Sequence, residues 1–186
     1  QREKPNVMIG YNIFGFDFMY LLNRAKKGVD KKNVLKDFAK FGWLTEKDDI
    51  IEMDEEKAGL ESNAYGKNKR PIKLVSEGIL YIDILPFIKF NYKFSTYKLS
   101  YIAEHFKVGL KDPLTPQDIF RKFEESTTDS LGEVGKYCVQ DSFVTLLLYE
   151  KLNMWLGLTE EAKTNHVPII YLYTRGQQIK MYSGVY

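Results

Sequence analysis

The amino-terminal part of the chain changes from a continuous apolar run to helical spacing. Residues 7–11 form the run Val-Met-Ile-Gly-Tyr, which predicts a buried strand. After Asn12 and a brief loop, apolar residues return at helical intervals, at Phe18, Leu21, Leu22 and Ala25. Asp17 lies where that helix begins, a position at which the helix dipole favours a carboxylate. The pattern predicts a strand followed by a helix, with Asn12 and Asp17 at the junction.

The middle of the chain divides into a polar stretch and two β-rich segments. Residues 30–70 are polar and charged with weak periodicity, which predicts an irregular insertion with one short helix. Residues 72–75 and 79–84 are rich in residue types that favour strands, and Ser-Glu-Gly at 76–78 separates them. This arrangement predicts a hairpin.

The second half of the chain is predicted to be helical. Helices are expected at residues 87–90 and 97–106. A further short helix is expected to begin with Thr115 as its N-cap and Pro116 as its first residue.

The longest helix is predicted to begin at Ser130, because Glu133 three residues later completes a capping-box pattern. Its apolar spacing continues to about Trp155, and Gly157 is expected to end it. Residues 168–186 begin a new element.

This element order indicates an α/β or α+β fold. One strand and one hairpin make a thin sheet for this length, so further strands are expected upstream of Gln1. The chain begins without Met, a first indication that it starts inside a larger protein. If expressed alone, it is expected to expose an unpaired sheet edge.

Composition excludes several classes of protein. The chain has 186 residues, 44% hydrophobic and 28% charged, as in a folded globular domain. The net charge of +2 makes no strong electrostatic case for nucleic acid. The single Cys138 excludes an internal disulfide, and the distant His105 and His166 argue against zinc. No apolar run approaches the ~20 residues that span a bilayer, so no membrane association is predicted.

Two small groups of residues carry candidate chemistry. The first is residues 12–17, Asn-Ile-Phe-Gly-Phe-Asp, at a strand end, where α/β folds bind ligands. The second is Tyr137 with Asp141, which share one face of the long helix. Taken singly, each has a structural alternative: Asp17 as a helix cap, and Tyr137 with Asp141 as the polar stripe of an amphipathic helix.

Together, the two groups are compatible with phosphodiester hydrolysis by two metal ions. That chemistry needs several convergent carboxylates to hold two hard cations ~3.5–4 Å apart. Asp17, Asp141 and Tyr137 supply part of such a set, but two carboxylates are too few to complete it.

The chain resembles family B DNA polymerases of the delta type, from eukaryotes and large DNA viruses. The pattern Asn-x₃-Phe-Asp at 12–17 resembles the family's second exonuclease motif, and Tyr-x₃-Asp at 137–141 the third. The resemblance extends to other segments, at residues 9–12, 16–17, 20–25, 95–99, 150–152 and 174–180. The last of these, Thr-Arg-Gly-Gln-Gln-Ile-Lys, resembles the segment by which the family leaves its exonuclease domain for the palm.

The resemblance implies an amino-terminally truncated RNase H-like exonuclease fold over residues 1–165, with the connection to the palm at 166–186. Asp17 and Asp141 would be ligands of Mg²⁺ or Mn²⁺, with two ions in the complete site. Tyr137 would position the attacking water, and Asn12 and Phe16 would contact the frayed 3′ end. His105 and Cys138 match no catalytic position and are expected to pack.

One motif of the family has no counterpart in the expected place. The first exonuclease motif is an Asp-x-Glu pair on an early strand, whereas the chain's only such pair, Asp54 with Glu56, follows Asp17 in a charged stretch. The polymerase carboxylate motifs are also absent. The fragment alone is therefore expected to lack appreciable nuclease activity.

The leading hypothesis is DNA synthesis with 3′→5′ proofreading by a larger polymerase. It implies DNA as partner, as a single-stranded 3′ end and primer–template, and a sliding clamp through the larger protein. The implied location is the nucleus or a viral cytoplasmic factory. A free-standing exonuclease or ribonuclease and an inactive homologue that binds single-stranded DNA remain alternatives.

Overall fold

The computed structural model describes residues 5–27, 78–109, 114–174 and 177–185. The chain divides into two compact units. We call Gln1–Lys93 with Leu156–Tyr186 the strand unit, and Phe94–Trp155 the helical unit. The predictions for residues 30–70, including Asp54 with Glu56, and for the strand at 72–75 lie outside the described residues.

Two parallel strands organise the strand unit. Strand β1 (Val7–Gly10) pairs with β2 (Leu80–Asp83), and the register runs from Val7 opposite Leu80 to Gly10 opposite Asp83. The strands predicted at 7–11 and 79–84 are therefore confirmed, while the hairpin between 72–75 and 79–84 stays a prediction. Because the strands are parallel, their carboxyl ends lie at the same edge of the sheet.

The chain after β1 does not form the brief loop that the sequence predicts. Ile13–Asp17 forms a π-helical turn that leads directly into helix α1 (Phe18–Lys27). Phe14 and Phe18 are buried, with ring centroids 5.7 Å apart. The predicted apolar face of α1 is confirmed at Phe18 and wrong at Leu21, which is exposed.

Helix α2 (Ile84–Asn91) begins immediately after β2 and buries Ile84, Leu85, Pro86 and Ile88. The helix predicted at 87–90 is confirmed, and it starts three residues earlier than the pattern indicated. Asp83 is its N-cap, with its side chain accepting a hydrogen bond from the backbone N–H of Leu85.

Three helices form most of the helical unit: α3 (Leu99–Phe106), α4 (Pro116–Glu125) and α5 (Thr128–Lys151). The predicted cap at Thr115 is confirmed, since Thr115 and Asp118 form a reciprocal capping box. The core of this unit buries Ile102, Ala103, Val134, Val144 and Leu148. Beside α3, the ring of Phe94 meets those of Tyr97, Tyr101, His105 and Phe106.

The predicted start of the longest helix is wrong by one turn. Thr127, not Ser130, caps α5, and the Thr127 N–H donates a hydrogen bond to the Ser130 hydroxyl oxygen at 3.1 Å. Ser130 is buried and its hydroxyl also donates to the Lys122 carbonyl at 3.0 Å. That buried bond favours the earlier start, and Glu133 pairs with the Lys122 ammonium rather than capping the helix.

The predicted end of this helix is also wrong. Helix α5 stops at Lys151, and Asn153 takes a left-handed conformation with φ 47°. Asn tolerates that conformation better than most residues, so it ends a helix without a glycine. Gly157 lies inside the next helix, α6 (Met154–Asn165), where Met154 and Leu158 are buried.

From Leu156 onward the chain belongs to the strand unit. Two helices follow α6, namely α7 (Tyr171–Thr174) and α8 (Gln177–Val185), which agrees with a new element after residue 168. Lys180 of α8 is buried, 2.9 Å from Glu161. The predicted boundary between residues 165 and 166 stays a prediction.

Among the residues described, no helix has the length and apolar character needed to cross a membrane.

Candidate functional site

The carboxyl ends of β1 and β2 place three predicted site residues on one short segment. Gly10, the last residue of β1, lies opposite Asp83. Asn12 follows within two residues, and Phe16 and Asp17 lie at the end of the π-helical turn. The structure therefore brings Asn12, Phe16 and Asp17 together where parallel strands end, the usual location of ligand sites in such sheets.

Asp83 is the centre of the hydrogen bonding at this edge. Its side chain is 1% exposed, and both carboxylate oxygens accept backbone bonds. Oδ1 accepts from Asn12 N–H at 2.7 Å and from Leu85 N–H at 3.1 Å. Oδ2 accepts from Phe14 N–H at 3.2 Å. The carboxylate thus joins β2 to the turn that follows β1.

Burial dominates the protonation of Asp83. Removal from water raises the pKa of its carboxyl to about 6, from an ordinary 3.8, although the three backbone bonds lower it. The nearby negative charge of Asp17 raises it a little further. Asp83 therefore lies close enough to Asp17 for the two carboxylates to influence each other.

Asn12 has an unusual backbone conformation that starts the turn. Its φ of 64° and ψ of 28° are left-handed, which Asn adopts more readily than most residues. Its carbonyl accepts from Gly15 N–H at 3.1 Å and Phe16 N–H at 3.0 Å. A Cβ at Gly15 would lie 2.3 Å from Asn12 Oδ1, so the absence of a side chain there leaves room for the Asn12 amide.

Phe16 and Asp17 are the exposed end of this segment. Phe16 is 62% exposed, and its ring lies parallel to that of Tyr20, with centroids 6.1 Å apart and planes 10° apart. Asp17 is exposed as well, yet partial removal from water raises the pKa of its carboxyl. An exposed aromatic face beside an open carboxylate can contact a base and a cation.

Tyr137 and Asp141 belong to the helical unit. They lie one turn apart on α5, and both side chains are half-buried. The hydroxyl of Thr145, one turn further, donates to the Asp141 carbonyl at 2.8 Å. Tyr137 and Asp141 therefore share a helix face, as their spacing predicts.

One side-chain prediction for the helical unit is wrong. Cys138 is exposed and does not pack, because it lies on the outer face of α5. Leu146 on the same helix is also exposed, since the buried stripe runs through Val144 and Leu148. The prediction that His105 packs is confirmed, since its ring centroid lies 4.7 Å from that of Phe94, although the residue is exposed.

The described residues contain no group of three or more His, Cys, Asp or Glu side chains that could hold a metal ion. Asp17 and Asp141 lie in separate units, and each offers carboxylate oxygens of the kind that Mg²⁺ and Mn²⁺ prefer. Their assignment as ligands stays a prediction, as do the roles of Tyr137, Asn12 and Phe16.

Sequence reasoning missed Asp83. The signal was present, because Asp83 is the only charged residue between Ile79 and Ile88. A charge within such an apolar run must be paired or hydrogen-bonded if the run is buried. Its position just before a helix was a second indication, since Asp is a preferred N-cap.

Comparison with known proteins identifies the family. The family model for the exonuclease domain of DNA polymerase family B matches residues 1–102. The chain is 40% identical to DNA polymerase 120R of Invertebrate iridescent virus 3, over 99% of this chain and 16% of that protein. It is 40% identical to putative DNA polymerase 060R of Frog virus 3, over 98% of this chain and 17% of that protein.

A cellular polymerase is also similar. The DNA polymerase delta catalytic subunit of Candida albicans is 34% identical over 98% of this chain and 16% of its own length. The chain thus spans about a sixth of the length of these relatives. It belongs to the family B DNA polymerases, and residues 1–102 correspond to the exonuclease domain of that family.

Proposed function

We propose that this chain is part of a DNA-directed DNA polymerase and forms much of its metal-dependent 3′→5′ proofreading exonuclease, with an RNase H-like fold. In DNA replication, this domain would remove nucleotides from the single-stranded primer end. The family match supports the assignment to an exonuclease domain. The observation that carries the proposal is the turn from Asn12 to Asp17, which holds an open carboxylate beside exposed Phe16 at the ends of two parallel strands.

Asp17 and Asp141 would hold Mg²⁺ or Mn²⁺ through their carboxylate oxygens. When bound, such ions generate a nucleophilic hydroxide and stabilise the leaving oxygen. Two carboxylates are too few for two ions, so further ligands from elsewhere in the polymerase are expected. The 186-residue chain alone is therefore expected to lack appreciable nuclease activity.

The other predicted site residues would bind and orient the substrate. Phe16, with Tyr20 stacked on its ring, offers an aromatic face to an unpaired base. The side-chain amide of Asn12 can donate hydrogen bonds to the DNA through its NH₂ group or accept them through its oxygen. The Tyr137 hydroxyl, one turn from Asp141, would orient the attacking water.

The partners and location follow from the same proposal. The substrate is a single-stranded 3′ end presented by a primer–template, and a sliding clamp would act through the larger protein. The nucleus or a cytoplasmic viral factory is the expected site of action, since the similar proteins are viral and delta-type polymerases.

The proposal is tested by degradation of labelled single-stranded DNA from its 3′ end, with Mg²⁺ or Mn²⁺, by the full-length polymerase. We expect Asp17→Ala and Asp141→Ala each to lower the rate more than about 100-fold, because loss of a direct ligand should exceed the effect of outer-sphere changes. Primer extension should persist. Asp129→Ala is the matched control, since Asp129 is an exposed carboxylate in the first turn of α5.

Two outcomes would contradict the proposal. If Asp17→Ala and Asp141→Ala degrade DNA like the parent, these residues only cap and line their helices. If the unaltered polymerase binds the single-stranded end and never degrades it, the domain is an inactive binding homologue.

A further inference from the structure

Asp83 is a buried charged residue that the proposed function leaves without a role. It is 1% exposed at the carboxyl end of β2, next to the turn that carries Asp17. Burying a carboxylate is unfavourable unless hydrogen bonds compensate for the lost water. A residue in such an environment needs a reason beyond packing, because an apolar side chain would fill the same space without that cost.

Helix capping explains only part of the Asp83 geometry. A cap needs one side-chain oxygen to accept one N–H of the first turn, and Oδ1 does so from Leu85. The bonds from Asn12 and Phe14 come from residues 71 and 69 positions away. Those two bonds contribute nothing to α2, and they join β2 to the segment that precedes Asp17.

The segment from Asn12 to Phe14 depends on such an anchor. Asn12 has a left-handed φ of 64°, so the backbone leaves the extended conformation of β1 at this residue. The N–H groups of Asn12 and Phe14 would lack these partners without the carboxylate. The Asn12 carbonyl in turn accepts from Gly15 and Phe16, so the position of Asn12 is transmitted to the exposed end of the turn.

We propose that Asp83 is a positioning residue of the exonuclease site, whose buried carboxylate fixes the backbone of Asn12 and Phe14 and so sets where Asn12, Phe16 and Asp17 meet the DNA. The inference rests on the proposed function. Asp83 acts through the turn and not by contact with DNA, since the residue is 1% exposed and its oxygens accept backbone bonds.

Two substitutions at Asp83 separate capping from positioning. Asp83→Ser keeps a cap for Leu85, because Ser is a good N-cap, but its single short hydroxyl cannot also reach Asn12 and Phe14. Asp83→Asn has the same shape and keeps an oxygen for Asn12 and Leu85, while its amide N–H₂ faces the Phe14 N–H. Because it is isosteric, Asp83→Asn tests the proposal even if Asp83→Ser does not fold.

The experiment measures kcat and KM for 3′ degradation of single-stranded DNA by the full-length polymerase, at a temperature where circular dichroism shows every variant folded. We expect Asp83→Ser to lower kcat/KM about 10- to 100-fold, as expected for a small displacement of catalytic groups. Asp83→Asn should fall between Asp83→Ser and the parent. Primer extension should stay within about twofold of the parent for both.

Thr115→Ala is the control for a lost helix cap, because Thr115 caps α4 in the helical unit. It should leave kcat/KM unchanged. The double variant Asn12→Gly with Asp83→Ser supplies a readout that a merely structural role would not move. Since Gly keeps the left-handed backbone and removes the amide, the two changes should be non-additive if Asp83 acts through Asn12.

The outcomes separate this inference from the function on which it rests. Unchanged kcat/KM in both Asp83 variants, or additive effects in the double variant, overturns the positioning role. If either occurs while Asp17→Ala abolishes degradation, the proposed function survives. If Asp17→Ala leaves degradation intact, the proposed function fails and the inference fails with it.

Discussion

The position of Asp17 is set by a residue far along the chain, whereas the relative position of Tyr137 and Asp141 is set by the geometry of the one helix that carries both. The turn before Asp17 is held by hydrogen bonds from the N–H groups of Phe14 and Asn12 to Asp83, which lies 69 and 71 positions away in the sequence. Tyr137 and Asp141 need only the regular geometry of α5 to share a face. The comparison teaches that one predicted site can combine a part set by tertiary hydrogen bonds with a part set by local structure.

The carboxylates of the two units also differ in electrostatics. In the strand unit, burial raises the pKa of Asp83 and, to a smaller extent, that of Asp17. In the helical unit, a hydrogen bond from the Thr115 hydroxyl lowers the pKa of Asp118, and the Lys122 ammonium lowers that of Glu133. Protonation should therefore affect the stability of the two units in opposite directions.

The largest expected effect is on the pH dependence of stability. Because folding raises the pKa of Asp83 from 3.8 to about 6, its contribution is fully present below pH 3.8 and is lost as the pH rises through about 6. The loss should be about 3 kcal/mol in the free energy of unfolding. Urea denaturation of the parent chain and Asp83→Asn should show this difference between their pH profiles.

Glu133→Gln gives the matching control in the helical unit. Since the pKa of Glu133 is lowered by folding, its contribution is present above its unfolded pKa and is lost as the pH falls. The difference in the free energy of unfolding between variant and parent should therefore change with pH in opposite directions for Glu133→Gln and Asp83→Asn. Parallel pH profiles for Asp83→Asn and the parent would contradict the electrostatic difference between the units.

A smaller effect is expected from adding one methyl group in each unit. A Cβ at Gly10 would lie 2.0 Å from Ile13 Cγ2, so Gly10→Ala should destabilise the chain by about 1–3 kcal/mol. Gly135 in α5 has no atom within 4 Å of such a Cβ, so Gly135→Ala should stabilise by up to ~1 kcal/mol. Thermal denaturation measures the effect of each substitution on stability. If Gly135→Ala destabilises the chain as Gly10→Ala does, the expected difference between the two positions is wrong.

The smallest effect concerns the start of α5. Thr127→Ala should cost about 1 kcal/mol in the free energy of unfolding, because Thr127 is the N-cap. Glu133→Ala should cost less than Thr127→Ala, since the Glu133 carboxylate is exposed and its ion pair with Lys122 is screened by solvent. A reversed order of the two costs in urea denaturation would favour Ser130 as the cap.

The elements that the sequence predicts well are those with local signals. The cap at Thr115 and helix α3 follow from residues a few positions apart, and both strands follow from short apolar runs. The resemblance to polymerases identified the family from short motifs, and the family match confirms it. Asn12, Phe16, Asp17, Tyr137 and Asp141 were chosen as site residues in the same way, and their roles stay predictions.

The elements that the sequence did not predict depend on competition or distance. Thr127 and Ser130 both carry hydroxyls that can cap α5, and only the buried Ser130 bond to Lys122 decides between them. Asn153 ends the helix although Gly157 has the stronger local preference. The role of Asp83 could not be predicted, because no local pattern links it to Asn12 across 71 residues.

The bond between Asn12 and Asp83 has a consequence for the order of folding. Joining residues 71 positions apart requires closure of a long loop, whose entropy must be lost before the contact forms. The contact of Lys122 with Glu133 spans 11 residues, and the box of Thr127 with Ser130 spans three. Short-range contacts form faster, so the helical unit should fold early and the turn that carries Asp17 should take its final shape late.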